Sequence, residues 1–271
     1  MYVVCPQLKF KEKMLVMKFG GASVATAKSF LNIADLILER TVEHDEIVVV
    51  VSAMGNTTDQ LFALAKEVHP NPPSRELDML ISVGERVSIS LLAMALSLKG
   101  KEAVSFTGSQ SGIITCGNHT EAKIVDVRPH RLLPVLKRGH VAIVAGFQGV
   151  STNGEITTLG RGGSDTTAVA LGVALGAPMV EFYKDVRGIY SADPKKDPCA
   201  RLIPLMSYAE ALNLANQGAK VLHSRCIALA ERNNVRLSVV SFQNPKEGGT
   251  LVGSTIGAVE PGAHKIYEMV G

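Results

Sequence analysis

Two apolar patterns alternate along the chain. Short, continuous, β-branched runs such as IVVVV at Ile47–Val51 and VAIVA from Val141 read as strands buried on both faces. Between them, apolar residues recur every three or four positions, as they do on one side of a helix. In order, the pattern predicts a strand at Met14–Phe19 and a helix at Ser23–Arg40. Ser23 is that helix's expected cap, and Phe30, Ile33, Ala34, Ile37 and Leu38 form its apolar side. After the strand Ile47–Val51 comes SAMGNTTD, a glycine turn opening a helix, then the proline linker His69–Pro73 and a long helical stretch Ser74–Leu98 with Gly84 and Glu85 inside it. Strands are expected at Lys101–Phe106 and Ala122–Val127, a helix between Asp126 and Arg138, and a strand in VAIVAGFQG. Asn153 and Gly154 mark a hairpin. A helix at Ser164–Leu175, a strand at Met179–Lys184, helices around Tyr208–Leu214 and Ala219–Arg232, and a closing strand at Val235–Phe242 complete the reading. Strand, helix, strand in succession is the mark of a parallel sheet, so the pattern implies one α/β domain with two lobes on a mostly parallel sheet.

The richest stretch is TTLGRGGSDTTAVALGVALG, Thr157–Gly176, which leaves a strand, makes a glycine turn and enters a helix. Gly160, Gly162 and Gly163 let backbone approach a ligand, Arg161 supplies a cation, and Ser164 or Asp165 suits a helix cap whose free N–H groups attract anions. A capped helix after a tight turn reads the same way. A dinucleotide loop is a rival, but Asp165 stands where its third glycine belongs. Lys18 falls where a parallel strand ends, facing Gly20 and Gly21, the side on which open α/β sheets bind ligands; a surface lysine beside a turn is the plainer alternative. Lys220, in GAKVLH, is a second candidate cation. The chain carries no Walker A sequence and no protein-kinase HRD or DFG, so a bound nucleotide would be held by another design.

Composition narrows the class. At 271 residues and 46% apolar, the chain can bury a large core. Its net charge of +3, 5% aromatic content and lack of Trp leave little for nucleic acid to stack on. Cys5, Cys116, Cys199 and Cys226 are far apart and read as reduced thiols, and the histidines show no ligand spacing, so no protein metal site is expected. The most apolar run, Val87–Leu98, is short for a bilayer and interrupted by serines, which predicts a buried helix and no membrane. The N-terminus lacks a secretory pattern, so a cytoplasmic location is expected.

The segments KFGG at Lys18–Gly21, SAMGNTTD, SVGER, FTGSQSGIIT, VAGFQGVSTNGEITTLGRGGSD, KDVRGIYSADP and GAKVLH follow one another across Met14–Val252. Together they resemble the aspartate kinases of the amino acid kinase family. The resemblance implies a three-layer α/β sandwich with a mostly parallel central sheet and two lobes. Residues 14–254 would form the catalytic domain, with an amino-acid lobe at about 14–150 and a nucleotide lobe at about 151–254. Residues 1–13 would be an extension, and 255–271 the start of a regulatory region of paired ACT domains. It further implies ATP-dependent phosphorylation of the L-aspartate side chain to 4-phospho-L-aspartate, the first step toward lysine, threonine and methionine, with Mg2+ carried by the nucleotide phosphates.

Under the resemblance, Lys18 lies at the transferring phosphoryl group beside Gly20 and Gly21, and Lys220 and Val221 support the ATP phosphates. Asp165 organises the lysines. Arg161 grips the aspartate α-carboxylate, Glu85 holds its α-ammonium, and Thr58 and Ser164 line the same pocket. The nucleotide rests on the loop Lys184–Lys195, chiefly Asp185, Tyr190 and Lys195. By itself Glu85 reads as a surface acid, and Tyr190 as a core residue. Lys184 replaces a threonine common at that position, Arg187 adds a cation to the loop, and Ser224 replaces a proline. Sibling kinases acting on glutamate, acetylglutamate or UMP, and a non-catalytic nucleotide sensor, are the alternatives; GRGGSD with Arg161 and Glu85 favours aspartate. The resemblance leaves room for a homodimer, and activity without feedback by lysine or threonine is expected because residues 255–271 are too few for an ACT domain.

Overall fold

The computed structural model describes residues 12–194, 196–219, 221–254 and 265–269. Its elements run β1 (Glu12–Phe19), α1 (Ala27–Arg40), β2 (His44–Val51), α2 (Thr57–Val68), α3 (Ser74–Ile81), α4 (Val83–Leu98), β3 (Ala103–Phe106), β4 (Ile113–Thr115) and β5 (Ile124–Val127). They continue with α5 (Leu133–Lys137), β6 (Val141–Ala145), β7 (Gln148–Ser151), β8 (Ile156–Thr158), α6 (Gly163–Leu175), β9 (Met179–Lys184) and β10 (Leu205–Met206). The last are α7 (Tyr208–Asn216), α8 (Ser224–Arg232), β11 (Arg236–Ser241) and β12 (Thr250–Val252).

The β-branched runs lie side by side in an eight-stranded sheet of order β10-β12-β11-β9-β1-β2-β6-β3. Strands β11, β9, β1, β2, β6 and β3 are all parallel, and β12 turns antiparallel on β11. Alternation along the strands splits the interior into two cores. Val16, Val48, Val144, Val180 and Phe182 face α6 and α8, whereas Met17, Phe19, Val49 and Ile143 face α1 and α4. Helix, sheet, helix gives the three layers. Successive strands move outward from β1 through β2 on one side, and β9 and β11 extend the other, so the chain reverses direction at the β1/β9 junction. Ligand crevices open at such a junction, beyond the carboxyl ends of the strands.

A second sheet of order β5-β4-β7-β8 sits beside the first. Its β5 falls within the strand expected at Ala122–Val127 and its β7–β8 pair is the hairpin expected at Asn153–Gly154, whereas the three-residue β4 was not expected. Strand β7 ends at Ser151, so the hairpin β7–β8 straddles the expected lobe boundary at 150/151.

Several expected boundaries shift for identifiable reasons. Helix α1 starts at Ala27, capped by Thr26, whose side chain accepts from the Ser29 amide at 3.2 Å. Ser23 is no cap: it is buried in the preceding turn and donates to the Tyr183 carbonyl at 3.3 Å. The stretch Ser74–Leu98 breaks at Ser82, whose carbonyl accepts from the Gln148 side chain at 2.8 Å. By length and composition that stretch could cross a membrane, but it carries the buried acids Asp78 and Glu85 and packs its apolar face into the α1 side of the sheet, as a core helix does. Helix α8 begins at Ser224, not Ala219, because the Ala219 amide closes the end of α7 on the Leu214 carbonyl. Strand β11 does not close the sheet, since β12 and β10 lie beyond it. The described cysteines Cys116, Cys199 and Cys226 are free thiols.

Candidate active site

Strand period and register bring two lysines to one point. Lys18 follows Val16 on the α6-facing side of β1 and pairs with Phe182 of β9, and Lys184 follows Phe182 on the same side. Both reach Asp165, the third residue of α6: Lys18 Nζ lies 2.6 Å from Oδ1 and Lys184 Nζ 3.2 Å from Oδ2. Burial alone would raise the Asp165 carboxyl, but Lys18 and Lys184 overcome it and hold the group at about 2, so it is ionised at neutral pH. Burial lowers the Lys18 ammonium below its ordinary value and Lys184 adds to this, with Asp165 opposing. Lys184, expected on the nucleotide loop, therefore sends its charge into the crevice to join Lys18.

The turn before α6 explains its glycines. Gly162 has φ 72°, and a Cβ there would stand 2.2 Å from the His223 ring; a Cβ on Gly163 would stand 2.7 Å from Leu159 Cβ. Only glycine fits, and it delivers the helix with its N-terminal amides turned to the crevice. Neither Ser164 nor Asp165 caps it. Gly162 occupies the cap position without a side-chain bond, which leaves Asp165 to the lysines and Ser164 to the pocket wall. Gly21 serves a similar purpose after β1: a Cβ would meet the Gly55 carbonyl at 3.0 Å, and the two loops are joined by a Gly55 N–H to Gly21 carbonyl bond of 3.1 Å. Gly20 lies against the tip of Lys18.

The crevice widens into a cavity of about 870 Å³, on whose wall Lys18, Thr58, Glu85, Arg161, Ser164 and Asp165 come together. Glu85 is 2% exposed. Gly84 lets α4 press against the loop after β2, where a Cβ would meet Ala53 at 2.7 Å, and the Ala53 amide then donates to Glu85 Oε1 at 3.1 Å. Glu85 Oε2 is buried without a hydrogen-bond partner. Burial raises this carboxyl to about 7, against the pull of backbone N–H groups and Lys18. A buried acid with a vacant oxygen, in a cavity, is built to receive a cation. Arg161 stands exposed at the rim, on the left-handed turn between Gly160 and Gly162.

Sequence reasoning missed the layer behind this wall. Asp78 is wholly buried and takes a 2.5 Å bond from the Thr158 hydroxyl, bonds of 3.1 Å from the Thr120 amide to both its oxygens, and one of 2.7 Å from His119 Nδ1. Thr120, at φ 67°, and Phe147, at φ 68°, both line the cavity in left-handed conformations that residues other than glycine rarely adopt. Spacing gave no usable signal, because Asp78 belongs to α3 and Glu85 to α4, on either side of the break at Ser82. Of the residues expected around the nucleotide, Tyr190 bridges to Leu202, Asp185 begins the loop after β9, and Val221 packs against the core ahead of α8. Lys195 and Lys220 lie outside the described residues.

The chain is a parallel α/β sandwich with two lysines on a buried acid at a glycine turn opening a helix, and its residues 13–241 match the amino acid kinase family, to which it belongs. Within the family its similarity runs to aspartokinases. It is 51% identical to the aspartokinase of Mycobacterium tuberculosis (strain ATCC 25618 / H37Rv) over 89% of this chain and 58% of that protein. The chain thus spans a little over half the length of the curated relatives it matches. Among solved structures, the aspartate kinase from Synechocystis is 43% identical, with a TM-score of 0.79 over 91% of this chain and 40% of that one. E. coli aspartokinase III in complex with aspartate and ADP is 30% identical, with a TM-score of 0.81 over 90% and 65% of the two chains.

Proposed function

We propose that this chain carries the catalytic domain of an aspartate kinase, transferring the γ-phosphoryl group of ATP to the side-chain carboxylate of L-aspartate. The observation that carries the reading is the buried, unpartnered Glu85 Oε2, which shares one cavity with Arg161, Lys18 and Asp165, the last also held by Lys184 from β9. Aspartate presents a cation and two anions, and the cavity offers a partner to each. Glu85 takes the α-ammonium, Arg161 takes the α-carboxylate in a forked bond, and the side-chain carboxylate is left facing the lysines.

That carboxylate, with a pKa of about 4, is already ionised at neutral pH, so attack on phosphorus needs no general base. The obstacle is repulsion between anions. Lys18, Lys184 and the α6 amides neutralise the transferring group by position, and Asp165 keeps the ammonium groups aimed and charged. Lys220 is proposed beside the ATP phosphates with Val221, and Asp185, Tyr190 and Lys195 under the nucleotide. Asp165 is engaged by the two lysines, and Mg2+ is proposed to arrive on the nucleotide phosphates.

Coupled assay of ADP release against aspartate, glutamate, acetylglutamate and UMP tests the reading. Turnover with aspartate at least tenfold above the others is expected. Preference for any other acceptor would overturn the substrate, and nucleotide binding without turnover on any of them would favour a sensor.

A further inference from the structure

Behind the amino-acid wall, away from the cavity, Arg225 of α8 ties together parts distant in sequence. Its guanidinium donates to the Leu159 carbonyl through Nη1, to the Ala122 carbonyl at 2.9 Å through Nη2, and to both oxygens of Glu268, at 2.8 Å from Nε and 2.9 Å from Nη2. Leu159 and Ala122 are wholly buried. Leu159 immediately precedes the Gly160–Arg161 turn, and Ala122 immediately follows Thr120 and Glu121 on the cavity wall. The two loops already touch: the Ala122 amide donates to the Thr158 carbonyl at 2.9 Å, and a Cβ on Gly160 would lie 3.0 Å from the Thr120 carbonyl.

Glu268 is itself held. Its amide donates to the Ile124 carbonyl at 2.9 Å, and the Ile124 amide returns a 2.8 Å bond to Glu268 Oε2, so the segment 265–269 lies along the free edge of β5. The segment is also fastened to α8 by reciprocal bonds between Asn233 and the Ile266 backbone, and to α6 by Lys265 on the Ala174 carbonyl. Only a planar, multi-donor head can serve two carbonyls and a carboxylate together, a geometry a lysine ammonium lacks.

We propose that Arg225 and Glu268 are positioning residues of the amino-acid site, with Glu268, which lies beyond the family match ending at residue 241, orienting Arg225, and Arg225 fixing the loops that carry Arg161 and Thr120. Neither residue touches substrate; each acts on the placement of groups that do. The proposal rests on the reading of the cavity as an amino-acid site, and its test has a readout independent of that reading.

Arg225→Lys and Glu268→Ala are compared with the wild-type chain for KM of aspartate, KM of ATP and kcat, after circular dichroism has established that each variant folds. The expected result is a rise in aspartate KM of tenfold or more with ATP KM changed less than threefold, an intermediate effect for Glu268→Gln, and a double variant little worse than Arg225→Lys alone. Hydrogen exchange is followed in parallel. Amides of residues 120–122 and 159–163 should exchange at least tenfold faster in Glu268→Ala, with those of β1 and β2 unchanged. Unchanged aspartate KM in folded variants, equal rises in both KM values, or unchanged exchange in both loops would overturn the proposal. A wild-type chain inactive on aspartate, whose loops still loosen in Glu268→Ala, would remove the substrate assignment and uphold the positioning role.

Discussion

Glu85 is the residue whose chemistry is most exposed to test, because burial puts its carboxyl at about 7, inside the working range of an assay. The α-ammonium needs the carboxylate form. As pH falls below about 7, the free protein increasingly holds Glu85 protonated, and kcat/KM for aspartate should fall toward tenfold per pH unit. In Glu85→Gln that limb should vanish from the profile while aspartate KM rises at every pH; a variant with the unaltered profile would show that another group titrates. Lys18 predicts differently. As a donor to the transferring group it matters in the transition state, so Lys18→Ala should lower kcat by roughly 100-fold to 1000-fold with the fold retained. Near-normal turnover, measured with thermal melting as the fold control, would remove its role. Glu85 was legible only through its place in SVGER, since a lone acid within a helix gives no sign of burial. Lys184 was legible as a loop residue but not as the partner of Asp165, because that contact depends on the register of β9 against β1.

At the scale of elements, the site depends on close approaches that only glycine permits. Helix α6 can present its amides because Gly162 turns left-handed and leaves room for His223. Gly162→Ala should therefore cost about 1–3 kcal/mol of stability, read from urea denaturation, and should impair turnover further by tilting the helix start. A variant as stable and active as wild type would mean that the turn tolerates a side chain. The glycine turn, the strand Met179–Lys184 and the run Ile47–Val51 were legible from local pattern, because turn chemistry and β-branched continuity are properties of neighbours in sequence. The true start of α1 and the break at Ser82 were not. Ser23 was drawn off to the distant Tyr183 carbonyl, leaving the local cap to Thr26, and the Ser82 carbonyl at the break is taken by the distant Gln148 side chain.

Across the whole molecule, the parallel sheet separates two cores and places the reactive cluster where strand order reverses, so charge gathers at a point the fold already leaves open. The repeated strand and helix pattern made the class of fold legible, and the strand at Ala122–Val127 and the hairpin at Asn153–Gly154 were legible as pieces, but their union into a second sheet was not, because it depends on β4 pairing with β7 across a longer stretch of chain. Through β8, the Thr158–Asp78 bond and the loop at Thr120 it frames one side of the cavity. This cavity is proposed to direct a carboxylate, and no other acceptor, onto the phosphoryl group of ATP. Trapping with hydroxylamine tests it directly, since an acyl phosphate yields a hydroxamate and a phosphate ester does not. Incubation of the chain with ATP, Mg2+ and L-aspartate, followed by hydroxylamine and mass spectrometry, should give aspartyl β-hydroxamate in step with ADP release. ADP release without hydroxamate, or a hydroxamate on the α-carboxylate, would contradict it.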